Sequence, residues 1–179
     1  MSETGYNIFF PEHTVPLHAM LVNAGHGTIT SHSYYWDGLK RGNRELYIWQ
    51  YTRGGRGELR LDGKSHVLTR GDALFVRIPE AHVYCLPPDS EAWEIQYLSF
   101  YGHEAGRLGQ EIRQRFGSVL HLDPESRSVR TALDILRLAA RGGITGKYQS
   151  SRLAYDFVTC LLEDLEHDDE VNSSRSELF

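Results

Sequence analysis

The residues with most chemistry to offer fall in three short stretches. His82 and Tyr84 stand two apart, Gln50 and Thr52 stand two apart, and Trp93, Ile95 and Tyr97 keep the same spacing. In an extended chain alternate side chains project to one face, so each set shares a face of its strand. If those faces meet, an amide, a hydroxyl, an imidazole and two phenols share an interior with an indole and an isoleucine. Such a mixture suits a small polar ligand, hydrogen-bonded by the polar groups and stacked against the rings. The same residues also read as core, with His82 a buried ring in one satisfied hydrogen bond and the aromatics filling space.

The elements that must position them read mostly as strands. Gly71-Asp72 punctuates the chain, residues 73–76 form a short apolar run, and Pro79 forces a turn or extended link before a strand that begins at His82. Leu46, Ile48, Gln50 and Thr52 alternate with Tyr47, Trp49, Tyr51 and Arg53, so both faces of that strand are at least partly covered. Gly54, Gly55 and Gly57 interrupt it, residues 58–61 resume, and Asp62-Gly63 signals a hairpin returning through 66–69. Pro87-Pro88-Asp89 makes a loop before a long aromatic strand over 92–101. Upstream, residues 19–24 and 28–36 read as two strands around a turn at Gly25-His26-Gly27, followed by a loop over 37–43. Short strands at close turn spacing imply a sandwich or barrel over 19–101. Residues 1–18 read as an irregular arm anchored by Phe9, Phe10 and Pro11. From Gly102 the period becomes helical, with helices expected near 103–115, 126–140 and 148–167, and an acidic, then serine-rich, mobile tail over 168–179.

Composition narrows the classes. A chain of 179 residues, 40% hydrophobic and 24% charged, has material for one well-cored domain. The net charge of −5 supplies no basic field for phosphate backbones. Cys85 and Cys160 have neither metal-ligand nor redox spacing, which fits a reducing compartment. No window reaches the roughly 18 apolar residues of a membrane helix and no leader pattern opens the chain, so a cytoplasmic protein without membrane contact is expected.

The stretch GDALFVRIPEAHVY, with GGRGELRLDGKSHVLTRGDALF before its histidine, AWEIQYLSFYG after it and GKYQSSRLAYDFVTCLL further on, resembles the sensor domains of AraC-type transcription regulators. The resemblance covers most of the chain from Leu46 onward. It implies a cupin-like, jelly-roll β-barrel followed by about three α-helices, with a sugar or similar effector bound inside. It places pocket positions on His82, Tyr84, Ile95 and Tyr97, with a basic contact among Lys40, Arg41 and Arg44. Ile95 stands where some sugar sensors carry a polar residue, which argues against a simple pentose. The resemblance also implies an N-terminal arm that folds over the effector.

Many cupins bind a metal through a His-x-His strand that this chain lacks; ELYIWQYTRGG offers Gln50 and Thr52 in its place. One histidine cannot assemble a transition-metal site, so no metal or other cofactor is expected unless His26 or His32 reaches inward. In the helical region 102–167, Leu153, Phe157, Cys160 or Leu161, and Asp164 make one stripe, and Ala154, Val158, Leu161, Leu162 and Leu165 a broader one. All of them pack on the barrel, or one stripe joins two copies in a homodimer, with Leu162 and Leu165 at the seam. No basic helix-turn-helix pattern appears, so DNA contact is expected only through a further C-terminal domain. A small cupin enzyme, an isomerase or metal oxygenase, is the rival reading.

Overall fold

The computed structural model of the chain describes residues 2–8 and 17–176. Among these, a six-stranded antiparallel sheet runs in the order β1 (Ser2–Asn7), β2 (Met20–Ile29), β9 (Trp93–Tyr101), β4 (Leu46–Gly55), β7 (Asp72–Ile78) and β10 (Val119–His121). A smaller sheet faces it, in the order β3 (Tyr35–Asp37), β8 (His82–Cys85), β5 (Gly57–Leu61) and β6 (Lys64–Leu68). The non-consecutive neighbours give the jelly-roll, cupin-like fold. No described strand bonds to both sheets, so the expected barrel is an open sandwich.

The alternation in β4 divides the molecule into two cores. Ile48 joins Leu59, Leu74, Tyr84, Trp93 and Ile95 between the sheets. Tyr47, Trp49 and Tyr51 face the other way, into a layer closed by α1 (His103–Phe116), α2 (Arg127–Ala140) and α3 (Lys147–Ser176). There Trp49 meets the fully buried Phe157 edge to face at 5.0 Å, which joins the long helix to the sheet. Asp164 of α3 accepts from the Ser128 backbone N–H at 2.6 Å and caps α2. In the same way the Ser150 hydroxyl accepts from the Leu21 N–H at 3.1 Å and ties the start of α3 to β2.

Several expectations change. Residues 2–7 are a strand, not an irregular arm: their polar sequence hides a backbone ladder to β2, with Gly5 opposite Gly25. Phe9, Phe10 and Pro11 lie outside the described residues. Nor is there a turn at Gly25-His26-Gly27, since β2 runs straight through it between β1 and β9. The short β10 was not anticipated; it pairs with β7 over three residues. The tail expected from 168 onward continues α3 to Ser176, because no glycine or proline interrupts the chain after Lys147. The helices at 103–116 and 127–140 and the Asp62-Gly63 hairpin lie where the sequence puts them.

Candidate functional site

Between the sheets lies a cavity of about 240 Å³, lined by Glu3, Asn23, Tyr34, Trp36, Arg41, Ile48, Gln50, Tyr84, Tyr97 and Ser99. Four of the residues singled out in the sequence meet there: Arg41, Gln50, Tyr84 and Tyr97. At the centre is Gln50, only 1% exposed. The Tyr34 hydroxyl donates to its Oε1 at 3.1 Å, and its Nε2 has no partner among the described residues. The Asn23 Oδ1 is likewise buried and unpartnered. A β-bulge between Leu21 and Asn23 lets Asn23 line the cavity while Leu21 faces the helices.

Tyr97 of β9 is seated by glycines on the adjacent β2 and on β1 beyond it. A Cβ on Gly25 would stand 2.5 Å from the Tyr97 Cζ, and one on Gly5 would stand 2.7 Å from its Oη. Burial, with the charge and hydrogen bond of the Glu3 carboxylate, pushes the Tyr97 hydroxyl up. Burial also raises Tyr34, and takes Tyr84 to about 12 although Arg41 opposes it. All three phenols therefore stay neutral and act as hydrogen-bonding groups.

Of the three basic candidates, only Arg41 lines the cavity. Its Nη1 donates to the Tyr84 hydroxyl, and its guanidinium stacks 4.5 Å from the centre of the Trp36 ring. Lys40 pairs with Asp37 at 3.3 Å, and Arg44 lies over Tyr101 at 4.0 Å, away from the cavity lining.

Three other candidates do not line this cavity. His82 is 4% exposed and stacked on Tyr84 at 6.1 Å, with Gly38 pressed so close that an added Cβ would lie 2.3 Å from the imidazole. Both ring nitrogens lack a partner among the described residues, and burial lowers the pKa to about 4, so the ring is neutral. Trp93 donates its Nε1–H to the Thr52 Oγ1 at 3.0 Å and meets Tyr34 edge to face, and Ile95 packs in the same core. Both share the parity of Tyr97. They lie further along the strand, Ile95 by two residues and Trp93 by four, or about 7 and 13 Å, and the cavity lining stops short of both.

The sequence reading missed Glu3, Asn23, Tyr34, Trp36, Ile48 and Ser99. Parity could have supplied two of them, because Ile48 shares a face with Gln50 and Ser99 with Tyr97. Glu3 gave no signal, lying in a stretch without a strand pattern.

No group of three or more His, Cys, Asp and Glu among the described residues is placed to hold a metal ion. His26 is exposed on β2, and the His32 ring bonds the Ser90 carbonyl at 3.2 Å, so neither reaches inward. No described helix is long and apolar enough to cross a membrane. Larger grooves lie outside the sandwich, one of about 650 Å³ between α1 and the sheet and one of about 640 Å³ along α3.

Solved structures similar to this chain include the AraC-like transcriptional activator CuxR, at 10% identity over 83% of this chain and 49% of that one, with a TM-score of 0.45. Others are the protein YhaK from Escherichia coli, at 12% over 56% and 45% with a TM-score of 0.42, and a Cupin 2 conserved barrel domain protein from Salinispora arenicola CNS-205, at 18% over 61% and 82% with a TM-score of 0.38. The chain thus spans just under half the length of YhaK and CuxR. No curated protein matches it. The sequence profile of the AraC-like ligand binding domain matches residues 25–158, a span that takes in the smaller sheet, the larger sheet without β1 and the start of β2, most of the cavity lining and the first turns of α3. The chain therefore belongs to the family of AraC-like ligand binding domains.

Proposed function

We propose that this domain is the non-enzymatic, cytoplasmic sensor of a transcription regulator, binding a small, hydroxyl-rich, sugar-like effector between its two sheets. DNA binding would come from a helix-turn-helix domain outside these 179 residues. The observation that supports this reading is the buried Gln50 amide. Its oxygen is held by Tyr34, while its Nε2 lacks a partner inside a cavity walled by Tyr84, Tyr97 and Trp36. An unpaired buried donor costs about 1–3 kcal/mol, and a ligand oxygen that accepts from it recovers that cost. The phenols and the indole supply faces for the carbon side of a sugar ring.

A thermal-shift screen of sugars and sugar derivatives tests the reading. A ligand at about 100 times its Kd stabilises by roughly 2.7 kcal/mol. Gln50→Leu and Tyr97→Ala should each abolish most of that response, and a response unchanged in both variants would move the site elsewhere.

Homodimerisation through α3 belongs to the same proposal. Leu165 is 6% exposed within its own chain, whereas Leu162 is only partly buried, so Leu162 is the better seam residue. Leu162→Glu should lower the sedimentation coefficient to that of a monomer. An unchanged coefficient removes this seam.

A further inference from the structure

Two charged side chains line the cavity, and among the described residues neither has a counter-ion. Arg41 follows β3 and reaches in beside Tyr84 of the smaller sheet. Glu3 belongs to β1 at the edge of the larger sheet and bonds the hydroxyl of Tyr97. Trp36 and Tyr84 on one side and Tyr97 on the other occupy the two charges separately, so they enter from opposite sheets without pairing.

We propose that the effector is a small zwitterion, with its anionic group on Arg41 and its ammonium on Glu3. This rests on the reading that the cavity is the effector site. A neutral ligand that displaces water would leave both half-buried charges desolvated and unpaired, which is costly. A simple anion would satisfy Arg41 and meet repulsion from Glu3, and a simple cation would do the reverse. A molecule carrying both charges pairs each of them, and such complementarity selects the ligand as well as holding it. Beside the two charges, the Gln50 Nε2 donor and the Asn23 Oδ1 acceptor remain for uncharged polar groups of the ligand body. The size agrees: 240 Å³ is the share of about eight waters at roughly 30 Å³ each, and covalently bonded atoms pack more closely, so about a dozen heavy atoms fit. An amino sugar acid or an α-amino acid has those dimensions.

Four compounds on one open-chain skeleton test the charge assignment by calorimetry on the full chain: D-glucitol, D-gluconate, D-glucamine and D-glucosaminate, with a set of L-α-amino acids beside them. The zwitterions should bind about tenfold or more tightly than the neutral and singly charged compounds. Arg41→Gln should remove the gain contributed by the carboxylate, and Glu3→Gln that contributed by the ammonium, with both variants folded by circular dichroism. Glucitol or gluconate binding as tightly as glucosaminate overturns the assignment and leaves the cavity as the effector site. Silence from every zwitterion up to about 10 mM, where a millimolar ligand would register, overturns it too. If the other compounds are silent as well, the effector-site reading falls with it.

Discussion

Replacing Gly25 with alanine should disturb the site without replacing any residue that contacts ligand. Gly25 lies opposite Gly5 on one side and opposite Tyr97 on the other. The new Cβ would stand 2.5 Å from the Tyr97 Cζ and Oη and 2.6 Å from Cε1, where ordinary contact begins at 3.4 Å. The ring must therefore retreat by about an ångström, and overpacking of this kind costs about 1–3 kcal/mol. Removing a glycine from a strand returns roughly 0.5–1 kcal/mol, which leaves a net loss of up to about 2.5 kcal/mol. In a Tyr97→Ala background the clash is gone, and the same Gly25→Ala change should be neutral or slightly stabilising. Urea unfolding of the four proteins measures the coupling, expected at about 1–3 kcal/mol. Additive costs, or a Gly25→Ala variant more stable than wild type, would refute the claim that these glycines seat the ring.

His82 should make the fold acid-sensitive. Its folded pKa of about 4 lies below the unfolded value of 6.5, so the unfolded chain takes up the proton first. The stability it contributes is complete above pH 6.5 and declines as pH falls toward 4, by about 3 kcal/mol at most. Urea midpoints at several pH values should show that decline in wild type and lack it in His82→Phe; identical profiles would mean that the ring is not buried neutral. Ser150→Ala should cost about 1–3 kcal/mol, because it strands the buried Leu21 N–H beside the β2 bulge. Hydrogen exchange at Leu21 reads that loss directly, and unchanged protection would show that the hydroxyl is not its partner.

Much of the fold was legible because its patterns are local. The two-residue alternation in β4 separates the inter-sheet core from the helix-side core, and the change to helical period falls at the start of α1. What was not legible depends on distant partners. Gly25-His26-Gly27 looks like a turn, yet Gly25 is there so that a ring from β9 can lie over it. Ser2–Asn7 has no apolar alternation, and β1 is specified by the backbone groups of β2. Within the site, parity found Gln50, Tyr84 and Tyr97 but could not say how far along a strand the cavity extends, which is why Trp93 and Ile95 were included. Arg41 was distinguishable from Lys40 and Arg44 only by its neighbours, Trp36 and Tyr84.

The tyrosines offer the most direct test of where the effector binds, because they are distributed among the competing cavities. Tyr34, Tyr84 and Tyr97 line the space between the sheets, Tyr47 and Tyr101 line the groove beside α1, and Tyr155 lies in the groove along α3. Protein labelled with ¹³C at the tyrosine ring carbons can be titrated with whichever compound stabilises it and followed by nuclear magnetic resonance. The account predicts that the Tyr34, Tyr84 and Tyr97 signals move together along one saturable isotherm while those of Tyr47, Tyr101 and Tyr155 stay in place. Saturable movement confined to Tyr47 and Tyr101, or to Tyr155, would contradict it.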